Sequence, residues 1–201
     1  MKLFYAPSPK EVLQASAPIL AAFVWVGFRE HHPPVVIAAC LAAGALVWSF
    51  VEYWLHRGLF HASPESRWLS RMLVRVHIEH HHDMTDPRVL NAGPAVSIPV
   101  TVCFFGAALL VFRDLSRASL FMVGMKAGYL FYEIVHYEVH AGRSRLRLFE
   151  QLRRNHIYHH RVEHGANLGV SSRLWDHVFG TTREALRRAP TPSRRLPRPP
   201  R

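Results

Sequence analysis

Hydrophobic and polar positions fall into long separate blocks along this chain. Four stretches, about Val12 to Phe28, Pro33 to Leu55, Ala92 to Phe112 and Ala118 to Val135, are almost unbroken in apolar residues, and Arg- and His-rich segments lie between them. The second and third are too uniformly apolar for helices with one wet face, and they are long enough to cross roughly 30 Å of hydrocarbon. The first contains Pro18, and the fourth is shorter and carries Lys126 and Glu133. The pattern predicts an all-α integral membrane protein with four transmembrane helices. No small-residue cleavage site follows the first block, which runs straight into Arg29-Glu30-His31-His32, so it is expected to stay as an anchor.

Two connecting stretches have helical periodicity of a different kind. Trp68, Leu69, Met72, Leu73 and Val76 form an apolar stripe opposed by Arg67, Arg71 and Arg75, and the stripe leads into His77. Leu146, Phe149 and Leu152 lead into His156 in the same way, with Arg143, Arg145, Arg147, Arg153 and Arg154 on the wet side. Both predict helices lying on the membrane as a cap whose apolar face is also its histidine face. The segment from Gly165 to Thr182 reads as a lid that returns to the cap. Residues 1–182 are expected to form one domain, and 183–201, with Pro190, Pro192, Pro197, Pro199 and Pro200, a basic disordered tail.

Charge places these blocks relative to the bilayer. A net charge of +11 could signal nucleic-acid binding, but the basic residues flank apolar spans and no groove-binding motif is present. Four spans put the histidine-rich connections and both termini on one side, together with most of the 25 Lys and Arg residues. By the positive-inside rule that side is the cytoplasm. Cys40 and Cys103 lie inside apolar blocks, so neither a disulfide framework nor a cysteine-ligated metal is signalled.

The histidines carry the chemistry. They recur as His56 with His61, then His77 with His80 and His81, His136 with His140, and His156 with His159 and His160. Residues three and four apart share a helix face, so each triplet is expected to aim its imidazoles at one point. His56 and His61 are five apart, which predicts that the second helix ends near Gly58. A single histidine is ordinarily a surface or satisfied core residue. Ten at ligand spacing are better explained as a transition-metal site. His82 competes in register with His81, and His164 is spare. Glu52, Asp83, Asp86, Glu133, Asp176 and His164 are candidate acceptors that would orient ring N–H groups.

This constellation resembles the membrane-embedded fatty acid hydroxylase and sterol desaturase superfamily over Glu52 to Thr182. Within it the fatty acid 2-hydroxylases are most similar, through Arg57, Asp86, Arg88-Val89 and the ending Trp175-Asp176-His177-Val178-Phe179-Gly180-Thr181. Tyr132-Glu133 ahead of the third box and Ala141 after it depart from that group's pattern. The resemblance implies that the same ten histidines hold two iron ions, with zinc also suited to so nitrogen-rich a site. It further implies oxygen-dependent hydroxylation of a fatty acyl chain drawn from the bilayer.

Alternatives from other classes are weaker. A sterol, carotenoid or hopanoid hydroxylase or desaturase would use the same boxes. A transporter would place its ligands near the bilayer midplane, whereas nearly all these histidines lie outside the apolar blocks. A structural zinc site needs four ligands and leaves six unexplained. The chain has no dinucleotide fingerprint or haem-attachment motif, and about ten residues precede the first block. Electrons are therefore expected from an external ferredoxin or small cytochrome docking on the basic cap.

Overall fold

The computed structural model describes residues 5–6, 8–60, 66, 77, 79–84, 86 and 89–188. His61, Arg88 and the stripe from Arg67 to Val76 lie outside the described residues. Helices α1 (Pro9–Phe28), α2 (Pro34–Trp54), α4 (Pro94–Phe112) and α5 (Leu115–His140) make the membrane part. Between α2 and α4 lies a short helix, α3 (Glu79–His82). Helices α6 (Arg147–Arg161), α7 (Leu174–Val178) and α8 (Arg183–Arg188) follow α5.

The four long helices are long and apolar enough to cross a membrane, as the block pattern predicts. Three of them open on proline at the first turn, at Pro9, Pro34 and Pro94. Proline costs nothing there, because the N–H it lacks would have had no partner in the helix. Leu110 and Val111 on α4 are largely exposed, as side chains facing lipid would be. The fourth span is longer than its apolar block. It starts at Leu115, where Asp114 accepts from the Arg117 backbone N–H at 2.7 Å, and it runs on through the third histidine pair.

Helix α5 is central and packs most closely on α2. A Cβ at Gly44 would come within 2.0 Å of the Phe121 carbonyl oxygen, and one at Gly124 within 2.0 Å of the Leu41 carbonyl oxygen. Two glycines facing each other's backbones let the helices approach as small residues do in bilayers. Trp48, Met122, Met125 and Tyr129 fill the interface around and beyond this contact.

The α-helical part of α2 ends at Trp54, and a π-helical turn, Leu55–Phe60, carries the chain through the expected end near Gly58 to the last described residue before His61. The wider turn accommodates an extra residue and leaves His56 on the buried side. The start of the expected disordered tail also differs, because α8 forms there. The Thr182 hydroxyl accepts from the Ala185 N–H at 3.1 Å, and Glu184 pairs with Arg173 and Arg183. Strands β1 (Tyr5–Ala6) and β2 (Asn91–Ala92) pair antiparallel and tie the N-terminal segment to the turn before α4.

Candidate metal centre

The π turn, α3, the end of α5 and α6 bring the histidines together. His56, His77, His81 and His159 have ring nitrogens all within 4.8 Å of one another, and His80, His136, His140 and His156 form a second such group. His80, His81 and His160 form a third that joins them, and the rings of His81 and His160 stack at 3.9 Å. Nine of the ten expected histidines therefore meet; His61 lies outside the described residues. The triplets do not each converge on one point. His77 and His81 go to one group and His80 to the other, while His159 parts from His156 and His160.

Backbone carbonyls set the tautomers. Nδ1 of His56 is 2.6 Å from the Leu168 oxygen, Nδ1 of His136 is 2.8 Å from the Leu90 oxygen, and Nδ1 of His159 is 3.1 Å from the Ala166 oxygen. A carbonyl can only accept, so each Nδ1 donates and each Nε2 is left with its lone pair. Burial, and then the neighbouring imidazoles, push His80, His156 and His160 well below the ordinary histidine range, which keeps these rings neutral.

The carboxylates act one step further out. Glu52 accepts from the backbone N–H groups of Val170 and Ser171 at 2.8 and 2.7 Å and from the Ser171 hydroxyl. Asp176 accepts from Leu168 N–H and Gly169 N–H at 2.8 and 2.9 Å and from the Thr181 hydroxyl at 2.7 Å. Together they pin the strip of backbone whose Leu168 carbonyl holds His56. Glu133 does the same for the turn that holds His136, taking Asn91 Nδ2 at 2.7 Å and Ala92 N–H at 3.3 Å. These three bind backbone and amide groups rather than ring N–H groups, a role the expectation of direct imidazole orienters missed. Burial raises the Asp176 carboxyl above its ordinary value against the pull of its three donors.

His82 is exposed and outside every group, so the register favours His81. His164 is exposed, with its ring 5.4 Å from that of His81. Asp83 is exposed and Asp86 partly buried, beside the same short helix. Trp175 and Phe179 pack on the outer face of α2. Trp175 donates to the Ser49 hydroxyl at 3.0 Å, and Phe179 stacks on Tyr53 at 5.3 Å. Arg153 is not a free surface cation: its guanidinium donates to the Glu138 and Gly142 carbonyls at 2.8 and 3.1 Å and closes the end of α5. Leu152 is buried as its stripe predicts, but Leu146 is 64% exposed because it precedes the helix.

A cavity of about 100 Å³ runs between α2, α4 and α5. Val96, Val100, Phe104, Met122 and Met125 wall its membrane part, and His56, His77 and His136 line its other end.

The donor set fits metal ions. Both ring nitrogens of His80 are buried with no hydrogen-bond partner among the described residues. Nε2 of His156 lies 2.9 Å from Nε2 of His140 and 3.1 Å from Nε2 of His160, and the Nε2 atoms of His77 and His81 are 2.8 Å apart. An imidazole nitrogen carries either one proton or one lone pair, so Nε2 of His156 can make a good hydrogen bond to only one of its two neighbours, whereas a cation among them satisfies all three nitrogens. Two nitrogens bound at ~2.1 Å to one ion, about 90° apart, are separated by ~3.0 Å.

A family model for fatty acid hydroxylases matches residues 41–181. The chain belongs to the fatty acid hydroxylase family. Among curated members of that family, a dihydroceramide fatty acyl 2-hydroxylase of Arabidopsis thaliana is 32% identical over 145 residues, 72% of this chain and 61% of that protein. The fatty acid 2-hydroxylase of Rattus norvegicus is 31% identical over 154 residues, 74% of this chain and 41% of that protein. The chain thus spans 61% and 41% of the length of these two relatives, less than two thirds of either. The solved structure of full-length scs7p, in which only the hydroxylase domain is visible, superimposes with a TM-score of 0.78 at 25% identity, over 87% of this chain and 66% of that one.

Sequence reasoning missed the residues that hold the histidines by backbone alone. Leu90, Ala166 and Leu168 contribute only carbonyls, which no residue type betrays. Asn91 was visible only as a polar residue at the edge of an apolar block, and it is 1% exposed beneath Glu133.

Proposed function

We propose that this chain is an oxygen-dependent lipid hydroxylase that acts on a fatty acyl chain next to its carbonyl carbon. In this reading ten histidines hold two iron ions. His56, His77, His81 and His159 serve one, and His80, His136, His140, His156 and His160 serve the other; His61 is the tenth by its place in the sequence pattern. The bound ions would supply the activation of dioxygen, chemistry for which no side chain suffices.

Everything else is the work of the chain's own residues. Neutral imidazoles, with Nδ1 tied to a carbonyl, present Nε2 without rearrangement. Burial of His80, His156 and His159 excludes water from between them. The apolar cavity holds the acyl chain extended with one end at the histidines, which turns a flexible substrate into a positioned one. The observation that carries this reading is that contact between the membrane-embedded cavity and His56, His77 and His136. The names of the relatives, fatty acyl 2-hydroxylases, support the choice of substrate and carbon.

The basic loops favour a cytoplasmic placement of the boxes and both termini. An external ferredoxin or cytochrome is proposed to supply the electrons. The test is lipid mass spectrometry of a host with and without the protein, joined to metal analysis of the purified protein. A gain of one oxygen at the second carbon of acyl chains, with two irons per chain, is expected. Changed ring lipids, new double bonds or a single metal would overturn the reading.

A further inference from the structure

Lys126 lies in the fourth span, yet it points into the cavity rather than to a membrane surface. It is 4% exposed and lines the cavity wall between Met122 and Tyr129. Its Nζ lies over the ring of Tyr129, 4.7 Å from the centroid, and it makes no hydrogen bond among the described residues. An ionisable side chain held in a bilayer is costly, and such residues ordinarily face a cavity with a partner to meet. The ring face is a weak partner for so buried an amine, and the Glu133 carboxylate that acts on it along the same helix already accepts from Asn91 and Ala92.

The surroundings make a polar band in an otherwise apolar channel. Helices α4 and α5 run antiparallel from the bond between Ala92 and Glu133. At 1.5 Å per residue, Lys126 lies about 10 Å down α5 from Glu133, level with the turn of α4 that carries Ser97 and Thr101. Both of those residues line the cavity, and the Thr101 hydroxyl donates to the Ser97 carbonyl at 2.6 Å. Beyond the band Phe104 and Met122 give the cavity apolar walls. From His136, Lys126 is ten residues away, about 15 Å along the helix, roughly the length of a dozen carbons of extended acyl chain.

We propose that Lys126 recognises an oxygen carried on the acyl chain itself, about a dozen carbons from the carbon that lies at the histidines. The substrate class is then a mid-chain oxygenated acyl group, bearing a hydroxyl, keto or carboxylate oxygen, rather than a plain hydrocarbon tail. The amine donates to that oxygen whether protonated or neutral, and the Ser97 hydroxyl lies on the facing wall. The inference rests on reading the cavity as an acyl-chain site.

The test is binding. Purified protein in detergent, loaded with a fluorescent fatty acid, is titrated with fourteen-carbon chains that are plain, 13-hydroxy, 13-keto or terminally carboxylated. Displacement by at least one oxygenated chain at about tenfold lower concentration than the plain chain is expected, the scale of one good hydrogen bond to a buried group. Lys126→Met should abolish that preference and bind the plain chain as well or better, which also shows that it is folded; Lys126→Arg should keep the preference. Equal binding of all chains by the native protein, or a preference unchanged in Lys126→Met, would overturn the inference. Product analysis separates this from the hydroxylase reading. Preferential binding without any hydroxylated product would sink the hydroxylase reading alone, and hydroxylation with no preference would sink only this one.

Discussion

The Nδ1–H of His56 donates to the carbonyl of Leu168, a residue 112 positions later, at 2.6 Å. That bond fixes both the tautomer and the aim of the ring, and Leu168 is itself fixed by Asp176 through its own N–H at 2.8 Å. Asp176→Asn keeps the shape but leaves one oxygen to serve Leu168, Gly169 and Thr181. Outer partners of metal-bound histidines are typically worth ~10- to 100-fold in metal affinity. A loss of that size is expected in metal content titrated against a chelator, with helical content by circular dichroism unchanged. Native affinity in Asp176→Asn would detach the loop from the site.

The histidines themselves sort by register. His81→Ala should abolish activity and lower bound metal, because His81 belongs to the first group and touches the third. His82→Ala, His31→Ala and His177→Ala should be nearly silent, as all three side chains are exposed. Product yield and metal per chain measure both effects. Activity surviving in His81→Ala but not in His82→Ala would reverse the register.

Most of this grouping was legible in the spacing, although the triplets divide between groups. At 100° per residue, positions four apart lie 40° apart on a helix, whereas positions three apart lie 60° the other way. His77/His81, His136/His140 and His156/His160 are therefore natural pairs, and His80 and His159 each cross to the neighbouring group. The four spans were legible for the same reason, since composition alone decides a bilayer helix. What stayed hidden was set by backbone: the π turn that carries His56 inward, and the carbonyls of Leu90 and Leu168. Arg153 looked like any surface arginine because its acceptors are main-chain oxygens.

Stability should fall with acid. His80, His156 and His160 are held below their ordinary value of 6.5 in the folded chain, so they stay neutral there while the unfolded chain takes up protons. Their contribution is complete above pH 6.5 and is lost as pH falls from there toward the lowered folded values. Each group adds at most ~1.4 kcal/mol per pH unit over that window. Thermal unfolding of the metal-free protein in detergent should be flat from about pH 7 to 8 and drop steadily below pH 6.5. A curve flat down to pH 5 would mean that these rings are solvated.

Close helix contact makes a separate prediction. At Gly44 an added methyl meets the Phe121 carbonyl at 2.0 Å, whereas at Gly106 nothing lies within 4 Å. Gly44→Ala must part α2 from α5 and should cost on the order of 3 kcal/mol, in the upper range for overpacking. It should also weaken metal binding, because His56 and His136 ride on the two helices being separated. Gly106→Ala should be neutral or slightly stabilising, as alanine favours helix by up to ~1 kcal/mol. Equal melting temperatures for the two variants would refute the contact.

Arg143, Arg145, Arg147 and Arg154 are exposed beside α6, on the end of the molecule that holds the histidines, and would attract an acidic electron donor. Arg153 sits among them but is spent on the end of α5, so replacing it tests structure and not docking. The expected result in a reconstituted system with substrate, oxygen and reduced nicotinamide is no turnover until a donor protein is added, and a rate that then falls as salt rises. Reversing Arg143, Arg145 and Arg147 to Glu should lower the rate and flatten its salt dependence while leaving bound metal unchanged. Because a charge change on lipid-facing arginines would alter membrane affinity instead, the same rate loss in detergent and in vesicles is the decisive comparison. Turnover without any donor, or a rate indifferent to the three reversals, would remove this surface from the reaction.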